Sequence, residues 1–290
     1  MVINELLKLG IVELKGREFA NPQLESRLIL AKLLNVDKSY IYTHGEIEVP
    51  KEIGYEFLEL MKKRGEGYPF QYIFNEKEFM GLTFYIEEGV LIPRPDTEIL
   101  VEYIIDYINE YYKDKKIYLL DMGIGSGAIS LSIASFCSEI KVYGVDIGDI
   151  PIKIANINKE RFKLTNVEFL QGNLFEPLEA LNMEKSFHII ASNPPYIPRK
   201  EIDKLQVEIR SYEPRLALDG GIDGLDFYRK ISAQAKEFFV NGGLLIYEIG
   251  YDQGQAVSEI LRKEGYKDIK VLKDLNDLDR VVICNLNCEV

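Results

Sequence analysis

The chain has 290 residues, 47% of them apolar, enough for one large folded unit or two with a sizeable core. Its 47 acidic and 35 basic residues leave a net charge of −12. That balance argues against a protein gripping nucleic acid through many phosphates and suits a basic protein partner or a small ligand. No apolar run reaches the roughly 18–20 residues of a membrane span. The start, Met1-Val2-Ile3-Asn4-Glu5, lacks the basic-then-apolar layout of a secretory leader. Cys137, Cys284 and Cys288, with His44 and His188, show no metal-ligand spacing. The expectation is a reduced, cytoplasmic protein without metal or membrane, in which the cysteines carry no assigned function.

Residues 4–74 read as helical. Leu6, Leu7 and Leu9 open the first segment. Asn21-Pro22 is a helix start with proline in the first turn, leading Leu24, Leu28, Leu30, Ala31, Leu33 and Leu34 at helical spacing. Asp37-Lys38-Ser39 reads as a break. Pro50 opens a third helix carrying Ile53, Phe57, Leu60 and Met61. Lys62-Lys63-Arg64 suits its last turn, and Gly65 and Gly67 end it.

Residues 77–92 change character: Phe79, Leu82, Phe84 and Ile86, then Val90 to Ile92, are broken by Gly81 and Gly89, as in a β-hairpin. Pro93-Arg94-Pro95 makes a rigid extended entry to a helix capped by Asp96 or Thr97. Strands and helices then alternate. Ile117–Asp121, Lys141–Asp146, Val167–Leu170, His188–Ala191 and Leu244–Glu248 read as strands, with Gly242-Gly243 turning into the last. Two further strands are expected at 268–273 and 280–286, and helices at 128–136, 151–162, 225–239 and 252–263. Such alternation implies a mostly parallel sheet covered on both faces.

Met122 to Gly127 joins a strand to a helix, the context a nucleotide-type glycine loop requires. Gly123, Gly125 and Gly127 satisfy the spacing of S-adenosylmethionine enzymes, while Gly123, Gly125 and Ala128 also satisfy the dinucleotide pattern. Either way backbone can approach a ligand closely, and the helix N-terminus offers free N–H groups. Asp146 ends the next strand, where a carboxylate holds ribose hydroxyls. Asp121 is a loop-ordering or ligand-amine residue, and Gln171 to Phe175 should flank an adenine.

Asn193-Pro194-Pro195-Tyr196 separates the two cofactor readings. Pro194 and Pro195 fix their own φ and push the residues before them into extended geometry. A hydride-transfer enzyme has no need of this stiff turn; a methyltransferase acting on a planar nitrogen does. An amide or exocyclic amine nitrogen has a delocalised lone pair. Two acceptors, the Asn193 side-chain oxygen and the Pro194 carbonyl, can orient its N–H groups and stabilise the positive charge that grows on it. Tyr196 offers a face for a flat amide or base.

The chain resembles the class I S-adenosylmethionine-dependent methyltransferases, and more narrowly the release-factor glutamine methyltransferases (the PrmC/HemK family). The resemblance rests on Glu78 to Leu82, Leu91 to Glu98, Asp121 to Ile129 and Ser192 to Ile197. It also takes in Tyr212-Glu213-Pro214, Leu218 to Gly221 with Asp223-Gly224-Leu225, and Asp279 to Val282. It implies an α/β fold: a Rossmann-like, seven-stranded, mostly parallel sheet with a small N-terminal helical domain and a linking β-hairpin. The implied division is 1–75 for engaging substrate, 76–95 for the hairpin linker and 96–290 for methyl transfer. The implied reaction is methylation of the side-chain amide nitrogen (N5) of the glutamine in the Gly-Gly-Gln motif of peptide-chain release factors. S-adenosyl-L-methionine would be held by Gly123, Ile124, Gly125, Ser126, Gly127, Asp146, Asn173, Leu174 and Asn193. The glutamine would be held by Asn193, Pro194, Pro195 and Tyr196, with Asn193, Pro194 and Tyr196 catalytic.

Two stretches depart from the family pattern. Asn173-Leu174 stands where an acidic residue and an aromatic ring are usual, and Asp277-Leu278-Asp279-Arg280 stands for Gly-Arg-Asp-Arg. Alternative substrates are a ribosomal-protein glutamine or, less in keeping with the charge and the short accessory segment, a nucleic-acid adenine.

Overall fold

The computed structural model describes residues 1–113 and 115–286. Cys288 lies outside them. The N-terminal apolar periodicity forms α1 (Ile3–Leu14), α2 (Pro22–Leu34), α3 (Lys38–Thr43), α4 (Lys51–Gly65) and α5 (Phe70–Phe74). Asn21 caps α2 by accepting the Leu24 N–H at 3.1 Å, and Glu25 accepts the Asn21 N–H at 2.9 Å in return. The chain breaks at Asn35, which closes α2 in the left-handed region, and resumes as α3 where a break was expected at 37–39. Ile3, Leu6, Leu30, Phe57 and Met61 form the core of this helical bundle.

The hairpin β1 (Glu76–Phe79) and β2 (Leu82–Tyr85) buries Phe79 and Phe84. Beyond α6 (Thr97–Tyr111) come β3 (Ile117–Met122), α7 (Ala128–Phe136), β4 (Ile140–Asp146), α8 (Asp149–Arg161) and β5 (Val167–Gln171). A short α9 (Glu176–Glu179), β6 (Phe187–Ser192), α10 (Val207–Tyr212) and α11 (Asp226–Phe238) follow. The described chain closes with β7 (Phe239–Glu248), α12 (Gly254–Lys263), β8 (Lys267–Lys273) and β9 (Asp279–Asn285).

Strands β3 to β9 form one seven-stranded sheet in the order β5-β4-β3-β6-β7-β9-β8. The first five are parallel, and β9 runs antiparallel to β7 and β8. The central parallel strands β3, β6 and β7 are buried over most of their length and read as near-continuous apolar runs, whereas β4 and the edge strand β5 alternate with half-buried polar positions. Alternate residues serve opposite cores. Leu119, Ile189 and Leu244 face a layer holding Leu100, Ile104 and Leu131, whereas Leu120, Ile190 and Leu245 face Tyr228, Ile231 and Val257. β7 begins at Phe239, five residues before the expected Leu244. Phe187 pairs with Phe239 and Ile189 with Leu244, so Gly242-Gly243 lies in an irregularity within the strand and not in a turn before it.

Two compact units result. One comprises Met1–Asn75 with Leu205–Tyr212; the other comprises Glu76–Lys204 with the chain from Glu213 onward. The first unit thus takes back one short helix, α10, from the C-terminal half of the sequence. Within it Arg64, 2% exposed, donates to Glu25 Oε2 at 2.6 Å and to Glu208 Oε1 of α10 at 2.7 Å.

Candidate active site

Strand order reverses between β3 and β6, and in open parallel sheets the crevice at such a point receives ligand. The register there brings two loops together. Met122 pairs with Ser192, so Gly123 and Asn193 leave the sheet side by side on strands about 4.8 Å apart. Ser192 Oγ fastens the pair by donating to the Met122 carbonyl at 2.6 Å. A cavity of about 460 Å³ opens above them, within the range of small-molecule sites.

Gly123, Ile124, Gly125 and Ser126 line the cavity from one side. Gly123 and Gly125 have φ of 82° and 53°, and a Cβ on either would project into open space. The loop is held from three directions. Asp146 accepts the Gly125 N–H on Oδ2 and the Gly148 N–H on Oδ1, both at 3.0 Å. Asn158, fully buried, donates to the Ser126 carbonyl at 3.0 Å. Asp121, also fully buried, accepts the Ser130 N–H and hydroxyl on Oδ2 at 3.1 and 2.6 Å. Asp121 therefore orders the loop from below and is not among the cavity's lining residues. Burial pushes its carboxyl up to about 6 against the two Ser130 bonds, with the Asp146 charge adding to the rise. Burial likewise raises Asp146, opposed by the backbone N–H groups of Gly148 and Gly125.

Asp146, Asn173 and Leu174 lie on the same cavity wall. Asn173 donates its Nδ2 to Glu176 Oε1 at 3.0 Å, which directs its amide oxygen elsewhere. Ile147 and Ile150, after β4, add apolar surface that is 60% and 38% exposed. Opposite stand Asn193, Pro194 and Pro195. Gly127 and Tyr196 do not line the cavity. Gly127 turns into α7, where a Cβ would meet Leu131 Cδ1 at 2.9 Å. The Tyr196 ring packs on the apolar layer beneath, and its carbonyl accepts from Gln253 Nε2 at 2.9 Å. Burial drives its hydroxyl well above the usual tyrosine range.

Other lining residues carried no assigned role in the sequence. Arg94 and Thr97 come from the Pro-Arg-Pro-Asp-Thr stretch, and Pro214, Leu216 and Ala217 follow Glu213. Arg94 donates to Glu213 Oε1 at 2.6 Å, joining the two segments. Their signal was the motif similarity itself. Neither Asp96 nor Thr97 caps α6 through its side chain. Asp96 faces Arg280 at 3.3 Å, and Thr97 is engaged by Glu248 and Asn193. Among the described residues no cluster of three His, Cys, Asp or Glu side chains could hold a metal, and no helix is long and apolar enough to cross a membrane.

The doubly wound sheet with its one antiparallel insertion, the glycine loop and the acid ending the next strand define a class I S-adenosylmethionine-dependent methyltransferase fold. Residues 5–74 match the family model of the PrmC N-terminal domain, and residues 113–250 match that of a methyltransferase domain. A release factor glutamine methyltransferase of Clostridium acetobutylicum is 41% identical over 262 residues, spanning 89% of this chain and 90% of its own. One from Clostridium botulinum is 38% identical over 284 residues, spanning 97% of this chain and 98% of its own. A methyltransferase of Pyrococcus furiosus shares the fold at a TM-score of 0.50 and 19% identity, covering 72% of this chain and 90% of its own. The chain belongs to the release factor glutamine methyltransferase family and is an enzyme, a protein-glutamine methyltransferase.

Proposed function

We propose that the enzyme transfers a methyl group from S-adenosyl-L-methionine to N5 of the glutamine in the Gly-Gly-Gln motif of peptide-chain release factors, in the cytoplasm. The observation that carries this reading is the register of β3 and β6, which sets the glycine loop beside the Asn193 turn. Residues 1–75 engage the release factor, 76–95 link, and 96–290 carry the transfer.

The residues present fit the cofactor. The space above Gly123 and Gly125 is a cradle that any side chain would fill. The Asp146 carboxylate, with about four lone-pair sites, accepts the backbone N–H groups of Gly125, Gly148 and Ile147 and keeps acceptor capacity for a ribose hydroxyl. The Asn173 amide oxygen is free to accept the adenine amine, and Leu174 supplies apolar surface in place of an aromatic face. Ile124 and Ser126 complete the wall, Gly127 shapes the loop from behind it, and Asn193 lines the same cavity within reach of cofactor and substrate. When bound, S-adenosylmethionine supplies a methyl group activated by its positively charged sulfur.

The chain's own work is on the amide. Asn193 Oδ1 and the Pro194 carbonyl accept the two N–H bonds of the substrate glutamine. Two fixed acceptors orient the nitrogen, favour its pyramidal form and stabilise the charge developing on it. Pro194 and Pro195 hold both acceptors before substrate arrives, which lowers the cost of reorganisation. Tyr196 braces the turn from beneath through its ring and its bond to Gln253. The methylated nitrogen sheds one N–H proton to solvent, so no strong general base is needed.

The test is Asn193→Ala. Turnover should fall at least about a hundredfold, the scale for losing a charge-stabilising acceptor. Cofactor affinity should stay within a few-fold. A loss of cofactor binding equal to that of Asp146→Ala, with turnover of the loaded enzyme intact, would assign Asn193 to the cofactor and not to the amide.

A further inference from the structure

The sheet register places a third strand end beside the site. Ser192 pairs with Met122 on one side and with Tyr247 on the other, so Gly123 and Asn193, which follow β3 and β6, and Glu248, the last residue of β7, are neighbours. Glu248 is 1% exposed and Thr97, the first residue of α6, is 4% exposed. Thr97 donates its hydroxyl to Glu248 Oε2 at 2.5 Å and accepts Asn193 Nδ2 at 3.2 Å. Glu248 is also faced by Arg280 from β9, by Asp96, and by the hydroxyls of Tyr196 and Tyr228. The Tyr228 hydroxyl donates to the Glu248 backbone carbonyl at 2.9 Å. Arg280 itself lies 3.3 Å from Asp96 and 3.1 Å from Asp274.

We propose that Thr97 and Glu248 are positioning residues whose hydrogen-bond relay fixes which way round the Asn193 side-chain amide sits. The two ends of that amide are almost identical in shape, so packing does not choose between them; hydrogen bonding does. A carboxylate only accepts, so Thr97 must commit its single proton to Glu248. Toward Asn193 it can then only accept. Nδ2 is held toward Thr97 and also donates directly to the Glu248 carboxylate, and Oδ1 is left to the opposite side as the acceptor a glutamine N–H requires. The relay rests on the reading that Asn193 holds the substrate amide.

Protonation of Glu248 would reverse the chain. A neutral carboxyl can donate to Thr97, whose own proton is then free to turn to Asn193 Oδ1, and the amide flips to present a donor to the cavity. Burial pushes Glu248 up to about 7, opposed by the Thr97 bond, Arg280 and Asn193 and reinforced by Asp96. The acceptor form is gained as pH rises through that value, so turnover at saturating substrate rises over the same range.

The experiment measures kcat, KM for a release factor and cofactor Kd for Thr97→Val, Thr97→Ser, Glu248→Gln and Asn193→Ala, with pH profiles from about 6 to 9. Thr97→Val should lower kcat at least about tenfold, the scale of one lost hydrogen bond to a charged network, with cofactor Kd within about twofold. Thr97→Ser, which keeps the hydroxyl, should restore kcat to within a few-fold. Glu248→Gln should flatten the rise with pH. Wild-type kcat in Thr97→Val, or an unchanged pH rise in Glu248→Gln, overturns the relay. Should Thr97→Val melt below the assay temperature, the Glu248→Gln profile decides alone. Full turnover in Asn193→Ala would instead overturn the underlying site assignment, and the two failures are therefore distinguishable.

Discussion

Asp146 accepts the Gly125 backbone N–H on Oδ2 at 3.0 Å, tying the end of β4 to the glycine loop at the end of β3. One carboxylate thus shapes the loop and presents acceptors to the cavity it encloses. Asp146→Ala removes both, and hydrogen bonds to a charged group contribute about 1.5–3 kcal/mol each. Calorimetric titration should show S-adenosylmethionine Kd raised about 10- to 100-fold, with kcat at saturation changed far less. A Kd within twofold of wild type would contradict the assignment.

Two glycines of one loop should respond differently to the same change. A Cβ at Gly125 meets nothing within 4 Å, whereas one at Gly127 meets Leu131 Cδ1 at 2.9 Å and Ala155 Cβ at 3.2 Å. Gly125→Ala should cost about 1–2 kcal/mol for its left-handed backbone and weaken cofactor binding by filling the cradle. Gly127→Ala adds core overpacking to that cost, about 1–3 kcal/mol more. Denaturant midpoints and cofactor titrations on both variants check the contrast; equal losses of stability contradict it.

Asp121 makes stability depend on pH. Its carboxyl stands near 6 in the folded chain against an ordinary 3.8, so the native state holds its proton longer than the unfolded chain does. The associated stability is full below about 3.8 and is lost as pH rises through about 6, at most about 3 kcal/mol. Asp121→Asn abolishes that loss. The difference in urea unfolding free energy between variant and wild type should move in the variant's favour from pH 4 to 6. Parallel curves would show that Asp121 does not titrate this way.

Arg64 should be the weakest point of the helical unit to lose. Its guanidinium serves Glu25, Glu208 and the carbonyls of Phe19 and Tyr68. Arg64→Ala removes the buried cation that Glu25 and Glu208 share, at about 3–5 kcal/mol. Arg64→Lys should rescue little, because an ammonium cannot reproduce the fork of donors. Thermal unfolding and hydrogen exchange check both, with faster exchange expected across α10 and α2. Unchanged exchange in α10 would contradict the role of the Glu208 bond.

Features written in local pattern were legible in the sequence. The strand–glycine–helix order around Met122 to Ala128, the strand ending in Asp146 and the apolar runs of β6 and β7 are each set within about ten residues. Features that depend on distant partners were not. Helix α10 has no buried residue of its own, and its place in the first unit is marked by Arg64, 144 positions from Glu208. Thr97 sits where a helix cap belongs, yet its hydroxyl answers Glu248, 151 positions away. Glu248 read only as the end of a strand. Its meaning comes from the pairing of β6 with β7, which no periodicity encodes. Within the departing stretch Asp277 to Arg280, Arg280 reaches both Asp96 and Asp274.

The most direct measurement is transfer of labelled methyl from S-adenosyl-L-methionine to a purified release factor, beside the same factor carrying Gln→Ala in its Gly-Gly-Gln motif. A ribosomal protein and adenine-containing DNA serve as competing acceptors. The expected result is label on the wild-type release factor alone, lost with Gln→Ala. Label that persists in the Gln→Ala factor, or that goes instead to the ribosomal protein or the DNA, would contradict the proposed function.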